Sequence, residues 1–302
     1  MTVVSSMVSP ANPDFERAVR DAFAKHELMV RRLMRRLMLW VWLSLMLPAA
    51  GVAGAETAVD LELLLAVDVS LSMDVEEQRL QREGYVEAFR DPQVMKAIWS
   101  GVQGRISVAY VEWAGPFTQE TLLPWTLIDA PAAAEDFATK LAAAPISRHR
   151  LTSISSALAY SARQFESNPH RGIRRVIDIS GDGPNNAGPP VTGVRAEVLK
   201  SGIIINGLPI IVRPSQSSLF DISYLDRYYA DCVIGGPGSF MIPIRDKSDF
   251  ASAIRQKLLL EIAGSEPPAR LMRAQLKTEA DKVNCLIGEQ LWQRYMEDRF
   301  PQ

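Results

Sequence analysis

Histidine is rare in this chain, three among 302 residues, and the scarcity narrows the chemistry before any motif is sought. His26 falls in an N-terminal stretch that reads as a leader. His149 and His170 alone cannot assemble the two- or three-histidine set of a common catalytic zinc site, and they read as loop histidines. Cysteine is rarer: Cys232 and Cys285 stand alone, with no Cys-x-x-Cys pairing for a zinc ribbon or a thioredoxin-type redox centre. A Gly-x-Ser-x-Gly elbow and a Gly-x-x-x-x-Gly-Lys-Ser/Thr phosphate loop are both missing, and Gly235-Gly236-Pro237-Gly238 reads as a turn. A nucleophilic or nucleotide-dependent enzyme therefore lacks its parts. No apolar run approaches the roughly 20 residues of a spanning helix.

What is present is ordinary globular composition, 47% hydrophobic and 23% charged, which excludes disordered and fibrous classes. Ahead of the globular part, Arg31, Arg32, Arg35 and Arg36 precede the apolar run Leu37 to Leu47, followed by Pro48 and the small-x-small pattern Ala53-Gly54-Ala55. This is the layout of a secretory signal, with cleavage expected after Ala55 and a periplasmic or secreted product. The alternative is an uncleaved anchor, with Trp40 and Trp42 at the interface. Residues 1 to 28 make an unusually long n-region, and Met29 and Met34 are alternative starts. The first 55 residues carry seven of the 33 Lys/Arg and four of the 35 Asp/Glu, so the remainder is acidic by five charges and a poor fit to nucleic acid. In an oxidising compartment Cys232 and Cys285 fit a disulfide, while two buried thiols fit equally.

Past the leader the pattern alternates. Val59 to Val67 suits a central strand covered on both faces, Asp74 to about Ile98 a crossover helix broken near Pro92, and Arg105 to Trp113 a second strand. The short Ala114-Gly115-Pro116 connection makes Phe117 to Ile128 an antiparallel edge strand. Helices follow near 132–143 and 153–165, then a strand at 174–180, a helix near 193–201, a strand at 203–208, a short strand from Phe240 to Ile244, and a helix from Asp249 to Ile262 capped by Ser248 and ended by Gly264. After Glu266-Pro267-Pro268, residues 269–299 read as a terminal helix whose Leu271, Leu276, Val283, Leu286, Ile287, Leu291 and Tyr295 form one apolar face. The fold class is α/β: a doubly wound, mainly parallel sheet with one antiparallel edge strand, plus a C-terminal helix. Three parts are expected: an extension and signal at 1–55, one domain at 56–264 and a helical tail at 265–302.

Asp68-Val69-Ser70-Leu71-Ser72 carries the most chemistry. In an extended segment positions i, i+2 and i+4 project the same way, so one carboxylate and two hydroxyls aim together just past a central strand, where open α/β sheets place their ligands. Leu151-Thr152-Ser153 and Ser180-Gly181-Asp182-Gly183 each bring another oxygen to that edge. Asp178 competes with Asp182, but Asp178 lies within the strand and Asp182 in the turn.

This three-loop pattern resembles the von Willebrand factor A family over about residues 60 to 263. Its metal-ion-dependent adhesion site (MIDAS) uses Asp-x-Ser-x-Ser, a Thr from a second loop and an Asp from a third. More narrowly, Arg174 to Asn186 together with Leu64 to Ser70 resembles a bacterial A-domain family of unknown function, the DUF1194 type. The resemblance implies that Ser70, Ser72 and Thr152 lie near a metal, directly or through water, while Asp68 and Asp182 set the negative field. Hard oxygen donors favour Mg²⁺, with Mn²⁺ or Ca²⁺ as substitutes. It further implies an exported protein-binding module, not an enzyme, whose metal receives an acidic residue from an unidentified protein ligand. Two other readings stand beside it. One is a metal-assisted hydrolase, for which Asp74 and Glu76 are the nearest bases, although both suit the first turn of a helix. The other is a scaffold with a vestigial site.

Overall fold

Eight consecutive buried residues, Leu61 to Asp68, place strand β1 (Thr57–Asp68) in the middle of the sheet. The computed structural model describes residues 56–212, 222–264 and 282–299, with a few positions between 25 and 35. The chain divides into Met1–Ala55 and Glu56–Gln302, and the second unit is described here. The expected signal run and cleavage point, and the first part of the expected terminal helix, lie outside the described residues. No described helix is long and apolar enough to cross a membrane.

Around β1 lie β2 (Ile106–Trp113), β3 (Gln119–Ile128), β4 (His170–Gly181) and β5 (Ile204–Pro209), in the order β3-β2-β1-β4-β5. Only β2 and β3 run antiparallel, as the short connection between them requires. Strand alternation divides β1 between two cores. Leu61, Leu63, Leu65 and Val67 face one, Leu64 and Ala66 the other. The first core is covered by α1 (Val75–Arg90), α2 (Pro92–Trp99), α3 (Pro131–Ala143) and α6 (Phe250–Ala263). The second is covered by α4 (Ile154–Gln164), α5 (Val191–Lys200) and a helical turn around Tyr228. Each leucine so buried stabilises the sheet by about 2 kcal/mol.

Several expectations are corrected. Residues 240–244 do not form a strand; they make isolated bridges at Gly207–Met241 and Ile210–Ile244. Ile242 and Ile244 donate to Gly207 O and Pro209 O at 3.2 and 2.9 Å, but Pro209 has no N–H to return and the Phe240 N–H is taken by Asn206 Oδ1 at 2.9 Å, so the ladder is interrupted. Strand β4 begins four residues before its expected start, because His170 and Arg171 pair with Thr57 and Ala58. Ser248 does not cap α6. Asp246 caps the preceding 3-10 turn, and the Ser248 hydroxyl donates to that carboxylate at 2.7 Å; Gly264 does end α6, with φ 62°. The terminal helix α7 (Ile287–Arg299) starts only after a turn at Cys285, so Val283 and Leu286 precede it, and Leu286 is exposed.

Candidate metal site

β1 is the switch point of the sheet: the chain leaves it toward β2 on one side and returns to β4 on the other. A crevice therefore opens beyond the carboxyl ends of β1 and β4. Asp68 closes β1 with its side chain fully buried, and its Oδ1 accepts the Ser70 N–H at 2.7 Å. The following residues are held from both sides. Val69 N–H donates to Trp113 O at 2.9 Å, and Leu71 N–H to His149 O at 2.8 Å. Ser70 is thereby buried, whereas Ser72 is exposed.

The strand end and the β4 turn meet through these serines. The Ser72 hydroxyl donates to Asp182 Oδ1 at 2.6 Å, and the Ser70 and Ser72 hydroxyls lie 2.8 Å apart. Gly181 makes the approach possible, since a Cβ there would stand 2.9 Å from both Asp68 Oδ2 and the Tyr229 hydroxyl. Thr152 is buried and lines the same cavity as Ser70 and Ser72, but it makes no described side-chain hydrogen bond to either. It follows Leu151, which has φ 71°, a left-handed conformation that costs a branched residue energy of the order of 1 kcal/mol.

Sequence reasoning gave no role to the residues that fix this second loop. Asn186 Oδ1 accepts the Thr152 N–H at 2.9 Å, and its own N–H donates to Thr152 O at 2.8 Å. Asn185 Oδ1 accepts the Ser155 N–H at 3.0 Å at the start of α4. The Asn-Asn pair after Asp182 thus latches the third loop to the second. On the other flank Arg82 pairs with buried Glu112 and donates to Ala144 O at 2.8 Å, holding the chain that leads to His149.

Burial raises the Asp68 carboxyl to about 7 against hydrogen bonds from Ser70 that lower it. Asp68 Oδ2 is buried and accepts no hydrogen bond. Two carboxylates and a cluster of hydroxyls around the unsatisfied Asp68 Oδ2 form a hard-donor set, which fits a divalent cation. No group of three His, Cys, Asp or Glu side chains suited to a metal occurs among the described residues, so any site here relies on its hydroxyls.

The remaining candidates sit elsewhere. Asp178 pairs with Lys257 at 3.0 Å, and Lys257 also bonds Glu261 at 2.6 Å, all three buried between β4 and α6. Asp74 and Glu77 form a capping box at α1, while Lys247 binds Asp74 at 2.8 Å and Glu76 at 2.6 Å. These acids are engaged in structure. Although burial opposes it, the Lys247 hydrogen bond and the capped N–H groups hold Asp74 below its ordinary value. His149 and His170 lie at opposite ends of the sheet, beside Ser70 and at the start of β4. Cys232 and Cys285 are joined in a disulfide with Cα atoms 5.6 Å apart.

A family model described as "Protein of unknown function (DUF1194)" matches residues 58–266. Proximal thread matrix protein 1 from the mussel byssus, with a zinc-occupied MIDAS motif, superposes at a TM-score of 0.51 and 14% identity, over 69% of this chain and 49% of its own. The pilus adhesin SpaC from Lactobacillus rhamnosus GG, in its open conformation, does so at 0.50 and 10% identity, over 68% and 30%. A von Willebrand factor type A protein from Catenulispora acidiphila is similar at 0.44 and 16% identity, over 68% and 43%. This chain spans about half the length of the mussel protein. No curated protein sequence matches it.

Proposed function

The chain belongs to the DUF1194 family, proteins of unknown function, so its role has to be read from its own site, and we propose that it is an exported binding module that uses a divalent cation to capture an acidic residue of a protein partner. The observation that carries this reading is the junction of strand end and turn: Ser70, Ser72 and Asp182 linked at 2.6 to 2.8 Å beside the unsatisfied Oδ2 of buried Asp68. Ser70, Ser72 and Thr152 would hold the ion, and Asp68 and Asp182 would orient its waters and balance its charge. Mg²⁺ is the expected ion, with Mn²⁺ or Ca²⁺ able to replace it.

When bound, the cation would supply Lewis acidity toward an incoming carboxylate, because the hydroxyls of Ser70, Ser72 and Thr152 would neutralise little of its charge. The chain itself supplies rigidity. The backbone bonds of Val69 and Leu71 and the Asn186 latch fix the donors before any ligand arrives, which lowers the ordering cost of binding. The Asp182 carboxylate orients the Ser72 hydroxyl. Asp74 and Glu76, the nearest candidate bases for a hydrolase, are both held by Lys247. Matrix and adhesin proteins among the similar structures agree with a binding role. Export is supported by the basic, apolar and small-residue order of residues 31–55.

Calorimetric titration of Mg²⁺ into the metal-stripped full chain tests the reading. Saturation near one ion per chain, abolished in the Asp68→Ala, Asp182→Ala double variant, supports it. An unchanged isotherm in that variant, or a wild type that binds neither Mg²⁺ nor Mn²⁺ even with acetate present, removes it. Turnover of a generic phosphomonoester lost together with Mg²⁺ would favour the hydrolase.

A further inference from the structure

The site is not an open face. Helix α7 stands beside it, and a cavity of about 790 Å³ lies between them, with Ser70, Ser72 and Thr152 on one wall and Trp292, Met296 and Arg299 on the other. That volume is within the usual range of ligand sites, ~300–1,000 Å³. Trp292, Tyr295, Met296 and Arg299 recur at i, i+3, i+4 and i+7, so one helical face is turned to the cavity. Among the described residues, neither core includes these four side chains. The C-terminal segment joins the second core through Val283, Cys285 and Ile287 instead. Met296 remains 39% exposed.

The helix is also fastened in place. The Cys232–Cys285 disulfide ties the turn before it to the domain, and Glu289 Oε1 accepts Asn185 Nδ2 at 2.7 Å. At Gly288 the backbone comes so close that a Cβ would lie 2.1 Å from Asn185 O. Asn185 belongs to the loop that also anchors α4 at Ser155, so one residue positions both walls. The cavity is therefore built into the fold.

We infer, resting on the metal-dependent reading above, that α7 restricts the site to an acidic residue presented on a slender, extended peptide segment with an aromatic or aliphatic side chain beside the carboxylate. The carboxylate goes to the serine wall, the apolar neighbour to Trp292 and Met296, and the positive charges of Arg150 and of Arg299, which donates to the Tyr295 hydroxyl at 2.8 Å, line the same cavity and favour an acidic segment.

The test uses the full oxidised chain in Mg²⁺ and calorimetry with two peptides, acetyl-Gly-Phe-Asp-Gly-amide and acetyl-Gly-Gly-Asp-Gly-amide, with 4-phenylbutyrate as the small-acid arm. The Mg²⁺ isotherm of every variant is measured first, so that failure of the metal site and failure of the cavity are read separately. Expected is one Phe-Asp peptide per chain, bound only with Mg²⁺ and about tenfold tighter than the Gly-Asp peptide, the gain for one buried aromatic side chain. Trp292→Ala and, independently, Gly288→Ala should erase that preference, and Arg299→Gln should weaken both peptides. Equal affinity for the two peptides, or a preference that survives both α7 variants, overturns the inference. So does 4-phenylbutyrate matching the Phe-Asp peptide, which would mark a small-acid site. A wild type that binds Mg²⁺ but no peptide refutes the cavity alone; one that binds no Mg²⁺ refutes both.

Discussion

Lys257 is the residue whose loss should show most clearly how this fold handles buried charge. It is 1% exposed, sits 3.0 Å from Asp178 and 2.6 Å from Glu261, and lies 4.6 Å from the centroid of the Phe240 ring. One ammonium thus serves two carboxylates in a dry space between β4 and α6. Burial, with the nearby Asp178 charge, raises Glu261 to about 7 from an ordinary 4.5, and burial also raises Asp178. A carboxyl whose pKa is raised on folding holds its proton more tightly in the folded state. Its favourable contribution is complete below about 4.5 and is lost as pH climbs through 7, a swing of the order of 3 kcal/mol in the wild type. Lys257→Met keeps the volume of the side chain and removes its charge. At pH 8 two unpaired carboxylates then share the site, and the variant should lose about 3–5 kcal/mol. At pH 5, below the raised value of Glu261, that acid takes up its proton, and the loss should shrink to about 1–2 kcal/mol for the missing hydrogen bonds. Urea unfolding of the full chain, followed by tryptophan fluorescence at both pH values, measures the difference. An equal loss at pH 5 and pH 8, or a variant more stable at pH 8, would refute the buried triad.

Other perturbations address the site and its supports. Asn186→Ala removes the acceptor for the Thr152 N–H and should weaken Mg²⁺ binding about tenfold in calorimetry, as loss of an outer-sphere support does. Gly181→Ala pushes a methyl to 2.9 Å from Asp68 Oδ2 and the Tyr229 hydroxyl, and should cost about 1–3 kcal/mol in urea unfolding together with ion binding. Leu151→Gly relieves the positive φ before Thr152, so its unfolding midpoint should fall less than that of Leu141→Ala, a fully buried leucine whose truncation costs about 2–5 kcal/mol. Reduction of Cys232–Cys285, with a sequence separation of 53, should lower stability by about 4 kcal/mol on the chain-entropy account, read as a shift of the urea midpoint.

Much of the architecture was legible because burial writes itself into strands. The nearly continuous apolar run before Asp68, with Glu62 its main interruption, marked a strand covered on both faces, and the short connection after Trp113 dictated the antiparallel pair. The same logic misread 240–244, where Ile242 and Ile244 do donate to β5 but Pro209 has no N–H to return, and the Phe240 N–H goes to a side chain 34 residues away. The start of β4 was missed because charged residues occupy the sheet's solvated end, where pairing with Thr57 and Ala58 outweighs polarity. At the site, Ser70, Ser72 and Asp182 come together at hydrogen-bond distance as their spacing suggested. The Asn185–Asn186 latch was quoted in the motif, but amide side chains bonding backbone groups across loops leave no periodic signal. The α7 face was obscured differently. An apolar stripe on a terminal helix reads as a docking surface, and only the described placement of Cys285 and Gly288 shows that Ile287 enters the core while Trp292 and Met296 turn to the cavity.

The central claim is that Asp68, Ser70, Ser72, Thr152 and Asp182 gather one divalent cation at the carboxyl edge of β1. Anomalous diffraction from crystals of the full chain grown with Mn²⁺ tests it most directly. The account predicts a single strong peak at coordination distance from the Ser70 and Ser72 hydroxyls, absent from crystals of Asp68→Ala. Strong peaks elsewhere with none beside these serines, or a peak there that persists in Asp68→Ala, would contradict it.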